Sequence, residues 1–203
     1  VLLVGAGTGE LNATQWRKLA DTIAKQAKQC KAAHVCVALQ SISVTDRTNQ
    51  WAYEQLGVVL AKSTYQYDTT LSDKKPSPLR ELTALTDTDS KPIAQALATG
   101  ASIASGMALT RELGNLPGNI CTPTYLAEQA KQLAAGNKAI KVTVLEEAKM
   151  RELGMGSLLS VSAGSDQPAK LVTLEYKGGN KNQAPIVLVG KGVTFDTGGI
   201  SLK

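Results

Sequence analysis

The sequence holds a single histidine, His34, in the apolar run "AHVCVAL". Histidine-rich metal sites such as HExxH are therefore excluded within these residues. Serine or cysteine triads fail for the same reason: Ser201 and Cys121 have only His34 as an imidazole base, and it falls in a different part of the chain. His34 itself is expected to be a partly buried structural residue. Cys30, Cys36 and Cys121 are odd in number and show no CxxC spacing. Neither a disulfide framework nor a thiolate zinc site follows, and buried reduced thiols are expected. Aromatic residues make up only 4% of the chain, too few for a surface on which bases stack. The formal charge of +5 comes from lysines scattered through helical patterns, which favours a solvated surface over a nucleic-acid groove. No segment reaches the roughly 18 consecutive apolar residues of a membrane span. The opening "VLLVGAGTGE" also lacks a basic leader region, so the expectation is a cytoplasmic protein with no membrane partner. Any catalysis must be carried by carboxylates, lysines, thiols or metal ions held by them.

What is present is an apolar content of 43% over 203 residues, ample for one large domain or two small ones. "VLLVG" (1–5) reads as a strand, and "ATQWRKLADTIAKQAKQC" as a helix with Trp16, Leu19, Ala20, Ile23, Ala24 and Ala27 on one face. "HVCVALQ" (34–40) reads as a second strand and "TNQWAYEQLGVVLAKSTY" (48–65) as a second helix, a layered parallel α/β pattern. Residues 66–92 carry three prolines among clustered Ser, Thr and Asp, and are expected to form an exposed connection. A long small-residue helix follows from Pro92, with Ser90 as its expected cap. After the break at Gly114 to Gly118, Thr122 is placed as an N-cap with Pro123 at the first helical position. Strands are expected at 139–145, 170–176 and 185–190, with a short helix over "EEAKMREL" stopped by Gly154. The division is then 1–91, an α/β domain with its connection, and 92–203, the long helix and a second domain.

Three motifs compete for the chemistry. "VGAGTGE", Val4 to Glu10, is a glycine run between an expected strand and a helix, a geometry that can present N–H groups to phosphate. Its spacing is not GxGxxG and no acidic residue closes the next strand, so a tight turn is the simpler reading and nucleotide binding the alternative. A P-loop is rejected, because Lys191 precedes Gly192 and Lys203 follows Leu202. That leaves "PIVLVGKGVTFDTGGISLK", Pro185 to Lys203, where an apolar run delivers Lys191, Asp196 and Lys203 into a backbone containing four glycines. A carboxylate at the end of a parallel strand points into the crevice where α/β sheets hold ligands. Its two oxygens can bridge two divalent ions about 3.5–4 Å apart. A lysine can join such a site only as a neutral amine, displaced from a reference pKa of about 10.4. A second lysine that stays cationic can hold a developing oxyanion. From spacing alone, a solvent-facing loop with two ordinary lysines remains equally open.

"VGKGVTFDTGGISLK" closely resembles the first metal-binding motif of the leucyl aminopeptidase family, two-metal exopeptidases of the cytosol. "LTRELGNLPGNICTPTYLAEQAKQL" resembles that family's interdomain helix and the turn after it. "VTVLEEAKMRELGMGSLLSVSAGSDQPAKLVTLEYKGG" resembles the opening of its catalytic domain. Residues 92–203 carry the resemblance most specifically, and 1–65 match the smaller N-terminal domain more loosely. Departures are Thr197, where serine is usual, and Asn119, where the family varies. The resemblance implies an α/β fold: a small N-terminal α/β domain joined by a long helix to the beginning of a larger metallopeptidase domain, here truncated at both ends. It implies that Lys191 ligates one metal, Asp196 bridges both, and Lys203 is the catalytic lysine. It further implies two zinc or manganese ions, peptide substrates, a homohexamer, and metal ligands later in the chain together with an arginine that holds bicarbonate as general base. The function implied is release of N-terminal, leucine-like residues from peptides. The alternative is a DNA- or nucleotide-binding regulatory module built on the N-terminal domain.

Overall fold

Trp16, Leu19, Ala20, Ile23, Ala24 and Ala27 recur at helical spacing, and in the computed structural model, which describes residues 1–7, 9–39, 43–87 and 89–196, they are the buried face of α1 (Ala13–Gln29). Asn12 caps this helix: its side chain accepts from the N–H groups of Thr14 and Gln15, and Gln15 returns a bond to the Asn12 N–H. That reciprocal box satisfies donors the first turn would otherwise leave bare. Trp16 is 1% exposed, and its indole N–H donates to the Ala52 carbonyl at 3.0 Å, which fixes α1 against α2 (Asn49–Thr64). Thr48 caps α2 through the Trp51 N–H.

The third helix, α3 (Ser90–Asn115), meets α2 with almost no side chain between the backbones. A methyl group placed on Gly100 would lie 2.2 Å from the Glu54 carbonyl oxygen and 2.7 Å from the Val58 nitrogen. One placed on Gly57 would lie 2.7 Å from the Leu97 carbonyl oxygen. Only hydrogen fits at either position, which explains the small residues read along this helix. Its start differs from the expected Ser90 cap. Ser90 is already helical, and the Asp89 side chain accepts from the Lys91 N–H at 3.1 Å. Pro92 falls in the first turn, where its missing N–H costs nothing. By length and a mean hydropathy of 1.2, α3 could cross a membrane. Gln95, Thr99, Ser102 and Ser105 interrupt it, and Ile93, Ala96, Gly100 and Ala104 are buried.

Two strands complete this part of the chain: β1 (His34–Ala38) and β2 (Glu81–Leu85), paired in parallel with His34 opposite Glu81 and Ala38 opposite Leu85. β2 corrects the expectation of an uninterrupted exposed connection over 66–92. Alternation places Leu82 and Ala84 against the core, a signal hidden among the flanking prolines and aspartates. The same alternation overturns two expectations on β1. Val35 and Val37 face inward, so His34 and Cys36 lie on the outer face, exposed, and His34 Nδ1 sits 3.6 Å from Glu81 Oε2. Cys30, at the end of α1, is exposed too, which leaves Cys121 as the buried thiol. "VLLVG" forms no strand: Val4 and Ala6 pack on the core, while Val1 and Leu3 stand in solvent. Gln40 and Ser41, at the end of the second expected strand, lie outside the described residues.

The chain divides into two compact units, Val1–Asn115 and Leu116–Lys203, which places α3 with the first. In the second unit Thr122 caps α4 (Pro123–Ala135) through the Tyr125 N–H at 3.2 Å, with Pro123 opening the helix as expected. β3 (Ile140–Leu145) and β4 (Leu171–Tyr176) pair antiparallel, Ile140 opposite Tyr176. Between them lie α5 (Glu147–Glu152) and α6 (Gly156–Ser162). Gly154 stops α5 at a φ of 70°, a left-handed value that glycine adopts without strain. α6 was not expected: seven residues, a glycine followed by Ser, Leu and Val, show too few turns for a helical period to register.

Candidate metal centre

The expected strand 185–190 does not form among the described residues. β3 and β4 pair with each other, and no described strand offers a ladder to this run. A strand is made by its partner, so Ile186, Val187, Leu188 and Val189 stay irregular and 74% to 94% exposed. Lys191 and Asp196 follow on the same irregular segment, both exposed. Lys203, Ser201 and Thr197 lie outside the described residues.

The segment carrying Lys191 and Asp196 rests against the turn that precedes α4. A methyl group on Gly118 would come within 3.0 Å of the Thr194 carbonyl oxygen, 3.3 Å of Phe195 Cβ and 3.4 Å of Phe195 Cδ2. One on Gly192 would lie 3.9 Å from Leu126 Cδ1. The turn beneath is well tied: the Pro117 carbonyl accepts from the N–H groups of Ile120 and Cys121, each at 2.9 Å. Leu116 and Cys121 anchor it, 7% and 6% exposed, and burial pushes the Cys121 thiol above its ordinary pKa. A thiol so placed is a packing group rather than a nucleophile.

As a donor set, one carboxylate and one amine fit part of a divalent-ion site and not the whole of one. No group of three or more His, Cys, Asp or Glu side chains poised for a metal occurs among the described residues. The glycine run at Val4 to Glu10 shows what a tight turn requires. Gly7 and Gly9 have φ of 83° and 85°, and Glu10 Oε2 accepts from the Thr45 hydroxyl. No strand leads into it. One cluster escaped the sequence reading: Arg17 and Arg47 lie over the Trp51 ring, 5.3 and 5.4 Å from its centroid. Each guanidinium also donates a hydrogen bond within the protein, Arg17 to Gln55 and Arg47 to the Asp46 carbonyl.

Comparison with known proteins decides between the readings. Residues 1–74 match the model described as the cytosol aminopeptidase family, N-terminal domain, and residues 108–203 the one described as that family's catalytic domain. The chain belongs to the cytosol aminopeptidase family. A protein named cytosol aminopeptidase from Pseudomonas aeruginosa is 51% identical over 206 residues, covering 100% of this chain and 42% of its own length. A probable cytosol aminopeptidase of Thioalkalivibrio sulfidiphilus is 46% identical over 208 residues, with the same coverage. The chain thus spans 42% of the length of these curated relatives. Among solved structures, a tomato leucine aminopeptidase mutant superposes with a TM-score of 0.81 at 29% identity, over 96% of this chain and 40% of that one. The bottromycin maturation enzyme BotP in complex with Mn gives 0.66 at 25% identity, over 83% of this chain and 34% of that one. The fold is therefore α/β, an N-terminal domain of this family followed by the start of a catalytic domain. The DNA- or nucleotide-binding alternative gains no support from these matches.

Proposed function

We propose that the complete protein is a metal-dependent aminopeptidase that releases N-terminal residues, leucine-like ones favoured, from peptides in the cytoplasm. The observation that carries this reading is that the segment singled out by its chemistry, Lys191 to Lys203, falls inside the stretch matching the family's catalytic domain. The likeness to a leucine aminopeptidase supports the substrate preference, and the Mn complex of a structural neighbour supports divalent ions, manganese or zinc. Asp196 and Lys191 are the residues that would hold the ions, one through its carboxylate and the other through its side-chain amine. When bound, the ions supply Lewis acidity and a nucleophilic water at neutral pH. Lys203 remains cationic and stabilises the oxyanion that develops at the scissile carbonyl. When bound, bicarbonate would supply the general base, and the proposed native assembly is a homohexamer. The proposed functional division is 1–91 and 92–203 with the long helix as the joint, although α3 packs with the first compact unit.

The roles separate experimentally. In the complete polypeptide, Lys203→Ala should leave bound metal unchanged and lower kcat by about 10²- to 10³-fold, the usual effect of removing one oxyanion-stabilising group. Metal analysis alongside turnover of a leucine anilide checks this. Loss of metal would show Lys203 to be a ligand instead.

A further inference from the structure

Asp196 follows directly on Phe195, and Phe195 is the residue that meets the rest of the unit. Its Cβ and ring edge, with the Thr194 carbonyl oxygen, occupy the space beside Gly118 that a side chain there would need, 3.0 to 3.4 Å from where a Cβ would stand. Three residues before Phe195, a methyl group placed on Gly192 would reach the half-buried Leu126 on α4 at 3.9 Å. Everything beneath is held: Pro117 accepts two backbone N–H groups, Thr122 caps α4, and Leu116 and Cys121 are buried. The segment itself has no ladder or helix among the described residues to hold it. The packing at Gly118 is one restraint on the main chain leading into Asp196.

We infer that Phe195 is a positioning residue for the metal centre, fixing the Asp196 carboxylate by docking on the Pro117–Cys121 turn at Gly118. The inference rests on the reading of Asp196 as a metal ligand and adds to it the part that sets its place. A carboxylate bridging two ions must satisfy both at once, so a main chain free to swing weakens binding even with both ligands present. Gly118 is suited to the role because it lets the Thr194 carbonyl and Phe195 approach without an intervening side chain. Phe195 is 61% exposed, so its truncation removes the dock at little cost to the fold.

The test is Mn²⁺ binding to the complete polypeptide by equilibrium dialysis with metal analysis, no substrate present. Phe195→Ala should raise the Mn²⁺ Kd by about tenfold, within the 10- to 100-fold range of supporting contacts around a metal ligand. Phe195→Tyr, which keeps the ring, should restore it to within about twofold. Gly118→Val, which obstructs the dock from the other side, should reproduce the loss. If that variant does not fold, Phe195→Ala decides alone. A Phe195→Ala protein that binds Mn²⁺ as the parent does, while Asp196→Ala has lost it, overturns this inference and leaves the assignment of Asp196 standing. Retention of Mn²⁺ by Asp196→Ala overturns that assignment and this inference with it.

Discussion

Glu147 illustrates how much one surface carboxylate can hold together. Oε1 accepts the Ala169 N–H at 2.8 Å, 22 residues away, and Oε2 accepts from Arg151 at 3.1 Å. The Ala169 bond chiefly, then the Arg151 charge, outweigh partial burial and hold its pKa below the ordinary 4.5. A carboxyl whose folded pKa is depressed adds stability that is fully present above its unfolded pKa and lost as pH falls through the folded value. Glu147→Gln should therefore lower the melting temperature by a few degrees at pH 7 and leave it unchanged near pH 3. Thermal unfolding followed by circular dichroism at both pH values checks this. An equal difference at both would mean that the charge is irrelevant and only side-chain shape matters.

The crossing of α2 and α3 is the element on which the first unit most depends. With the Glu54 carbonyl 2.2 Å from the site of any added methyl, Gly100→Ala forces the helix backbones apart. It should cost about 3 kcal/mol in urea unfolding, the upper range for overpacking. Gly106→Ala on the same helix meets nothing within 4 Å and should stabilise by roughly 0.5–1 kcal/mol through helix propensity. Equal effects would mean that the crossing is looser than described. These helices were legible in advance for different reasons, α2 from the length of its apolar-rich run and its Thr48 cap, α3 from a long run of small residues whose expected Ser90 cap proved to be helical. The buried face of α1 was readable residue by residue. β2 was not, because five residues give only two inward positions and the neighbouring Pro and Asp residues dominate the local pattern. The run 185–190 failed for the opposite reason: its strand character is plain, but pairing is a property of a partner. A metal role for Lys191 and Asp196 could be proposed from residue type and the family resemblance, whereas the contact at Gly118 lies about 75 residues away and leaves no local signal.

For the molecule as a whole, two matches to one family, over residues 1–74 and 108–203, link the fold to the proposed aminopeptidase chemistry. The relatives are more than twice as long, and under the proposed function any further metal donors are to be sought in the complete polypeptide. The central claim is that Asp196 holds the metal on which peptide hydrolysis depends. The most direct measurement is bound metal and leucine release on the same purified samples of the complete polypeptide, parent and Asp196→Ala. The account predicts two divalent ions per parent chain, and loss of both metal and turnover in the variant. Undiminished leucine release by Asp196→Ala would contradict it.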